Sequence, residues 1–455
     1  NFNTAVGLNA LTANTTASQN TAVGNHALES NTTAASNTAV GSFALRVNTT
    51  GAYNVAVGTK ALDANTEGDQ NVAIGYDAMT VHTTGDYNVA IGGYALDANT
   101  SASSNTAVGY NSMSANVTGA GNTALGSGAL VLNTASNNTA VGIDSLAANT
   151  SGTPNTALGR LALYSNTTAA NNVAVGNSSL QANTTGAQNT AVGTSALDAN
   201  TTASNSNAFG YAALGANTTG AHNNAFGYGA LDANTTAAHN CAFGHDTLGA
   251  ANTGAQNTAM GNYAAQLVTT GTGNVAIGYS AGDVITDGAY NVTIGQGCDP
   301  SGSGGTNQIV IGSLNQTGKG DSTGFIAPST GAVYQGNNST AWTATSDRRI
   351  KKDIKPSEKG LKEINQLVPC TFFYKSDEEL NEIPEFEGCQ ENLPQDILTT
   401  SAIAQEVREV FPEAVTERND FGMLAVNNDP ITWAMVNAIK ELSAKVTELE
   451  EKLNG

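Results

Sequence analysis

Asn71-Val72-Ala73-Ile74-Gly75 decides the fold, because it keeps returning. Asn274-Val275-Ala276-Ile277-Gly278 repeats it, and looser copies fill the chain before, between and after them. Aligned on the closing Gly, the copies fall at Gly7, Gly24, Gly41 and onward to Gly312, nineteen in all. Every interval is 17 residues except one of 16, between Gly126 and Gly142. A fixed short period marks a solenoid. Seventeen residues are too few for a helix pair with its turns. They suit two short strands and two turns per coil.

Within the motif Val72 and Ile74 alternate with Ala73, the period-2 pattern of a strand. A Leu column (Leu11, Leu28, Leu45, Leu62, Leu96, Leu197, Leu231) supplies a second inward residue per coil. The Asn, Thr and Gly between them are turn residues. The repeated Gly marks a backbone conformation that a Cβ forbids, or a close approach of another chain. Asn at equivalent positions stacks on its neighbours at roughly 4.8 Å, where side-chain amides form ladders. Nineteen coils at that rise make a rod of roughly 90 Å. One coil buries too little apolar surface to fold alone, so stability comes from stacking and from association of chains. Ala56, Ala73 and Ala90 suggest a flat small-residue face where identical chains meet.

The 455 residues include 50 Gly and only 9 Pro, with 12% charged, 6% aromatic and a net charge of −20. That balance argues against a nucleic-acid partner, which needs clustered Lys and Arg. It argues equally against an anionic membrane surface. No run of eighteen apolar residues occurs, so membrane insertion by a helix is not expected. The four Cys (Cys241, Cys298, Cys370, Cys389) have no CxxC spacing, which suggests neither a zinc site nor a disulfide framework. No cofactor is implied.

Charge is unevenly spread. Residues 1–340 hold 4 Lys/Arg and 15 Asp/Glu; residues 341–455 hold 13 and 22. Both Trp lie in the second part and all five His in the first. The expected domains are a solenoid shaft at 1–312, a neck with short strands at 313–345, and a charged domain at 346–455 that ends in a helix at 430–455. In that helix Ile439, Leu442, Val446, Leu449 and Leu453 are spaced three and four apart, an a/d seam of about two heptads. A seam so short is marginal alone, so it assists an assembly held elsewhere. An amphipathic helix packed on its own domain is the plain alternative.

The repeat resembles the left-handed parallel β-roll of trimeric autotransporter adhesin heads, and similar arrays occur in phage tail fibres. The resemblance covers roughly residues 1–312, although the family repeat is usually shorter. The second part carries three ordered motifs: Ser346-Asp347-Arg348-Arg349-Ile350-Lys351, then Ala404-Gln405-Glu406-Val407, then Phe411-Pro412-Glu413. This set resembles the C-terminal intramolecular chaperone domain of phage endosialidases and tail fibres, also found in the myelin regulatory factor family. The family start S-D-x-R-x-K matches at Ser346, Asp347, Arg349 and Lys351.

The resemblance implies a homotrimer whose chaperone helps the upstream β-fibre fold and then cuts itself off at Thr345–Ser346. Ser346 is then the nucleophile and Lys351 the general base, with Asp347 or Arg349 holding the geometry. The chemistry is consistent. A Ser hydroxyl needs a base. No His lies in residues 341–455, so a Ser–His pair is impossible within that domain. A Lys serves when desolvation or nearby positive charge lowers its pKa, and Arg348, Arg349 and Lys352 supply such charge. A solvated basic loop is the plain alternative.

The expected function is therefore a virion tail-fibre shaft for host attachment, joined upstream to fibre or baseplate proteins. Once cleaved, the chaperone is released in the infected host cytoplasm. A cell-surface trimeric adhesin and an ice-binding solenoid are the alternatives. The column after the repeat Gly holds Tyr76, Tyr110, Tyr211, Tyr228 and Tyr279, rings that can stack on a receptor glycan or stand as plain surface aromatics. Asp63, Asp97, Asp198 and Asp232 read as solvated turn charges. His222 and His239, 17 apart, should stack on adjacent coils, with Cys241 and His245 close by; exposed ladder residues are favoured over a metal site. The many Asn-Thr-Thr triplets match the N-glycosylation sequon only because the repeat generates it. No clustered carboxylate pair suggests a glycosidase.

Overall fold

The computed structural model describes residues 2–328, 333–335, 348, 352–384, 398–417 and 423–454. The chain divides into two compact units, Asn1–Thr345 and Ser346–Gly455.

The first unit is a parallel β-solenoid of about nineteen coils. Its strands run from β1 (Thr4–Val6) to β20 (Gly324–Ala327), each hydrogen-bonded in parallel to the next in sequence. Register is kept residue for residue, as in Ala56↔Ala73↔Ala90. Most strands are three residues long. Near the end β18 (Val292–Gln296) and β19 (Ile309–Leu314) lengthen around a bulge. The sheet then continues past residue 312 into β20, where β21 (Val333–Gln335) pairs antiparallel.

Each coil holds one strand rather than two. The coil of Gly24 shows why. After β2 (Thr21–Val23) comes Gly24 at φ +139°. One turn closes from Gly24 to Ala27, with His26 at φ +57°, and a second from Leu28 to Asn31, with Leu28 at φ +49°. The backbone still bonds along the stack through this stretch, as in the Leu28 amide to the Ala44 oxygen at 3.1 Å. Its dihedrals, however, enter the left-handed region at alternate residues. Left-handed geometry costs a bulky residue roughly 1–2 kcal/mol. Full burial of a Leu returns about 1.5–3 kcal/mol, so the column holds. Branching at Cβ would add to the cost. From Leu11 to Gly282 this column contains Leu, Met, Ala and Gly, and no Val, Ile or Thr.

The strand faces the opposite way from the sequence expectation. Ala56, Ala73 and Ala90 are fully buried inside the coil, while Ile74 is 37% exposed. The coil is too thin for more than a methyl group between the strand and the Leu column behind it. The larger β-branched side chains therefore turn outward. The core is a continuous file of Ala22, Ala27, Leu28 and their equivalents up to Ile285.

Two buried Asn ladders frame that file, as the repeat predicts. In the first, the Asn37 amide donates to the Asn20 Oδ1 (2.9 Å), and the Asn37 Nδ2 donates to the Gly51 carbonyl (2.9 Å). In the second, the Asn48 Nδ2 donates to the Asn31 Oδ1 (3.0 Å) and to the Gly51 carbonyl (2.8 Å). Most buried amides thus keep their partners, the Oδ1 atoms of Asn65, Asn116 and Asn234 being exceptions among the described residues. The second ladder contains the Asn of the Asn-Thr-Thr sequons; Asn31 and Asn48 have no exposed surface for a glycan.

The second unit is α+β. Among its described residues, two antiparallel pairs, β22 (Pro369–Phe372) with β23 (Thr399–Ala402) and β24 (Val415–Glu417) with β25 (Leu424–Val426), join four helices. These are α1 (Leu361–Ile364), α2 (Asp377–Asn381), α3 (Ala404–Val410) and α4 (Asn428–Asn454). Val407, Phe411, Ala414, Val415 and Ala434 form its core. Among the described residues no helix is long and apolar enough to cross a membrane.

Candidate functional site

Thr345, Ser346, Asp347, Arg349 and Lys351 lie outside the described residues. The division between the two compact units falls between Thr345 and Ser346. Arg348 is exposed, and residues 352–358 are exposed with neither helix nor strand.

The two later motifs build the core of the second unit. Val407 and Phe411 are fully buried, and the turn Pro412–Ala414 leads directly into β24. Lys359, which no sequence motif singled out, clamps this corner. Its Nζ lies 4.6 Å from the Phe411 ring centre, donates to the Val410 carbonyl, and pairs with Glu413 at 3.1 Å. The Asn437 Nδ2 donates to the Lys359 carbonyl (2.9 Å) and to the Ser357 carbonyl (3.3 Å). Glu441 accepts the Leu361 amide at 3.3 Å. The first half of α4 is thereby pinned to the segment 357–361. From Ile439 onward the helix is exposed, its apolar seam included: Ile439 is 66% and Leu453 90% exposed. The seam does not pack on the described residues of its own unit.

Residues 346–416 match the family described as chaperone of endosialidase. The matched segment starts at Ser346, where the second unit starts. It takes in all three motifs and ends inside β24. No solved structure matches the chain. Within this chaperone-of-endosialidase domain, a cleft of about 410 Å³ opens between the two strand pairs, lined by Phe372, Tyr374, Ile403, Gln405, Leu424 and Asn428. Residues of β22, β23, β25, α3 and the start of α4 supply its walls, elements too short to give a sequence period that announces it.

On the solenoid, Tyr76, Tyr110, Tyr211, Tyr228 and Tyr279 are exposed as expected, but each ring contacts an aromatic ring on an adjacent coil. Tyr211 stacks on Tyr228 (5.2 Å, 14°) and Tyr228 on His245 (5.1 Å, 8°). Those faces are turned toward neighbours, leaving edges and hydroxyls to solvent. Tyr94 and Tyr263, one position later in the coil, complete the files edge-on. The column directly after the Gly does not contain them, so the sequence gives no sign that they belong to the same file.

His222 and His239 stack at 5.0 Å, as the period requires. Among the described residues no group of three or more His, Cys, Asp or Glu gathers as a metal site. The acidic column is half-buried rather than freely solvated. Burial pushes the carboxyls of Asp97, Asp198 and Asp232 up. Asp63 is also raised, chiefly by burial, although Arg46 grips it with two bonds of 2.9 and 3.3 Å and opposes the shift. The fold brings these carboxyls under the turns because each Asp directly follows the inward Leu. At the far end Asp299, facing Asp283, is pushed up to about 6 by burial first and then by that second charge.

Proposed function

We propose that this chain is a trimeric fibre shaft whose folding is templated by its C-terminal chaperone domain, which then removes itself. The observation that carries the reading is the family match beginning at Ser346, at the border of a long repetitive β-solenoid. Register in such a solenoid is hard to nucleate, because every coil resembles every other and a slip by one period costs few contacts. A small domain that brings three chains together supplies the missing registration. The uncovered seam of α4 suits that task.

The cleavage follows from Ser346 and Lys351. The Ser346 Oγ attacks the carbonyl carbon of Thr345 as the neutral Lys351 amine takes the hydroxyl proton. The Thr345–Ser346 C–N bond breaks, the Ser346 nitrogen is protonated, and an ester remains. One water hydrolyses that ester, leaving a Thr345 carboxylate and a free Ser346. The reaction occurs once per chain. The released shaft serves as a virion fibre for host attachment, continuous with upstream fibre or baseplate proteins. Receptor contact through Tyr76, Tyr110, Tyr211, Tyr228 or Tyr279 runs along the file, with the stacked Tyr228 offering its edge and hydroxyl.

Denaturing intact-mass analysis of wild type, Ser346→Ala and Lys351→Met tests this. Two fragments divided between Thr345 and Ser346 in wild type, with both variants whole, are expected. A whole wild-type chain contradicts self-cleavage.

A further inference from the structure

The outward face of the solenoid sheet carries a strip without charge. Each strand turns its middle residue inward and its two flanking residues outward. Across the nineteen motifs from β1 to β19 that makes 38 outward positions, and none is Asp, Glu, Lys or Arg. The position just before the repeat Gly is Val, Ile, Leu, Phe or Met in every copy. Ile74, Leu125, Leu158 and Met260 stand out to solvent there. The turns of the same coils do carry charge, as at Lys60, Asp63 and Asp77. The charge is therefore kept off one face, not off the solenoid. Within the strip Phe209, Phe226 and Phe243 stack at 4.7 and 4.6 Å. Beside them the second outward column changes from Thr or Val to Asn207, Asn224 and Cys241.

We propose that this strip is the surface along which copies of this chain pack lengthwise, in register, a refinement that rests on the trimeric reading above. Apart from Thr and Asn in its second column the strip is apolar, and a monomer rarely leaves so long a surface of that kind in water. The strip runs roughly 90 Å and is about 7 Å wide at the backbone, so its flat area is on the order of 600 Å². Side-chain relief brings that near the ~800 Å² per partner of a stable interface. A globular partner covers only a few coils of such a strip. A second copy has the same length, the same rise per coil and the same Phe block at the same level. It is the occupant that matches every coil.

The test compares three full-length chains by light scattering and by unheated and heated denaturing gels. One carries Ile74→Glu, Leu125→Glu and Leu158→Glu in the strip. A control carries Thr59→Glu, Ser127→Glu and Thr194→Glu on the turn face. The third is wild type. We expect a denaturant-resistant three-chain band in wild type and control, and its loss in the strip variant. A triple Thr variant at the same strip positions keeps the test valid if the Glu variant misfolds. Its band should vanish at a lower temperature. Strip variants that keep the wild-type band overturn the assignment and leave the trimer standing. A single-chain wild type overturns both.

Discussion

A Cβ on Gly159 would stand 2.3 Å from the carbonyl oxygen of Gly176, the same Gly one coil further on. Gly159 also sits at φ +141°, where side chains are strained whatever the space. The repeat Gly therefore meets both conditions a Gly can serve, backbone geometry and close approach, and the approach is within one chain. Gly159→Ala should cost roughly 3 kcal/mol or more, from backbone strain and overlap together. Thermal unfolding followed by circular dichroism checks this; an unchanged melting temperature would contradict the packing.

Leu197 sits at φ +53° and is fully buried. Branching at Cβ, not volume, is what its position forbids. Leu197→Met should cost less than about 1.5 kcal/mol, as volume-conserving swaps do. Leu197→Ile, equal in volume, should cost about 1–3 kcal/mol more. Denaturant unfolding of the two variants separates the causes, and equal losses would show that volume alone governs.

His82 takes an Asn position in the second ladder, fully buried, with its Nε2 donating to the Gly85 carbonyl at 2.7 Å. Burial, the largest influence, holds the imidazole below its ordinary value. The unfolded chain thus takes up a proton near pH 6.5 before the folded coil does. His82 stability is present above about pH 6.5 and declines as pH falls below it. His82→Asn should remove that decline in a series of melts. Asp299 has the opposite sign. Its folded value of about 6 exceeds its ordinary 3.8. Its contribution is present below 3.8 and lost as pH rises through about 6. Asp299→Asn should raise the melting temperature at about pH 7 and have little effect at about pH 3.

The α4 seam should behave as an association surface. Leu442→Glu with Leu449→Glu should weaken three-chain assembly and leave the core around Phe411 folded, because both side chains are exposed. Sedimentation velocity with far-ultraviolet circular dichroism reads both quantities. Assembly unchanged by two such charges would remove the seam from the account.

Much of the solenoid is legible in the sequence, because a fixed period assigns equivalent residues to equivalent places in successive coils. The Asn ladders and the His222–His239 stack follow from counting by 17. The orientation of the strand does not follow. Val72-Ala73-Ile74 is apolar on both faces, so alternation alone cannot say which side is inside. The width of the coil decides it, in favour of Ala73. The expected second strand is absent because dihedral signs are not written in hydrophobicity. The lack of β-branched residues at the Leu28 column is the clue that the sequence does hold. Half-burial of Asp97 and Asp232 follows from their place directly after the inward Leu, which a reading of charge as solvated overlooks. The proposed roles of Ser346 and Lys351 rest on resemblance alone, since a Ser and a Lys five residues apart have no intrinsic signature.

The most direct test is native mass spectrometry of the freshly expressed wild-type chain, with the same sample run denatured. The account predicts a native particle of three shafts, each ending at Thr345, and a denatured fragment starting at Ser346. A native particle of one uncut chain would contradict it.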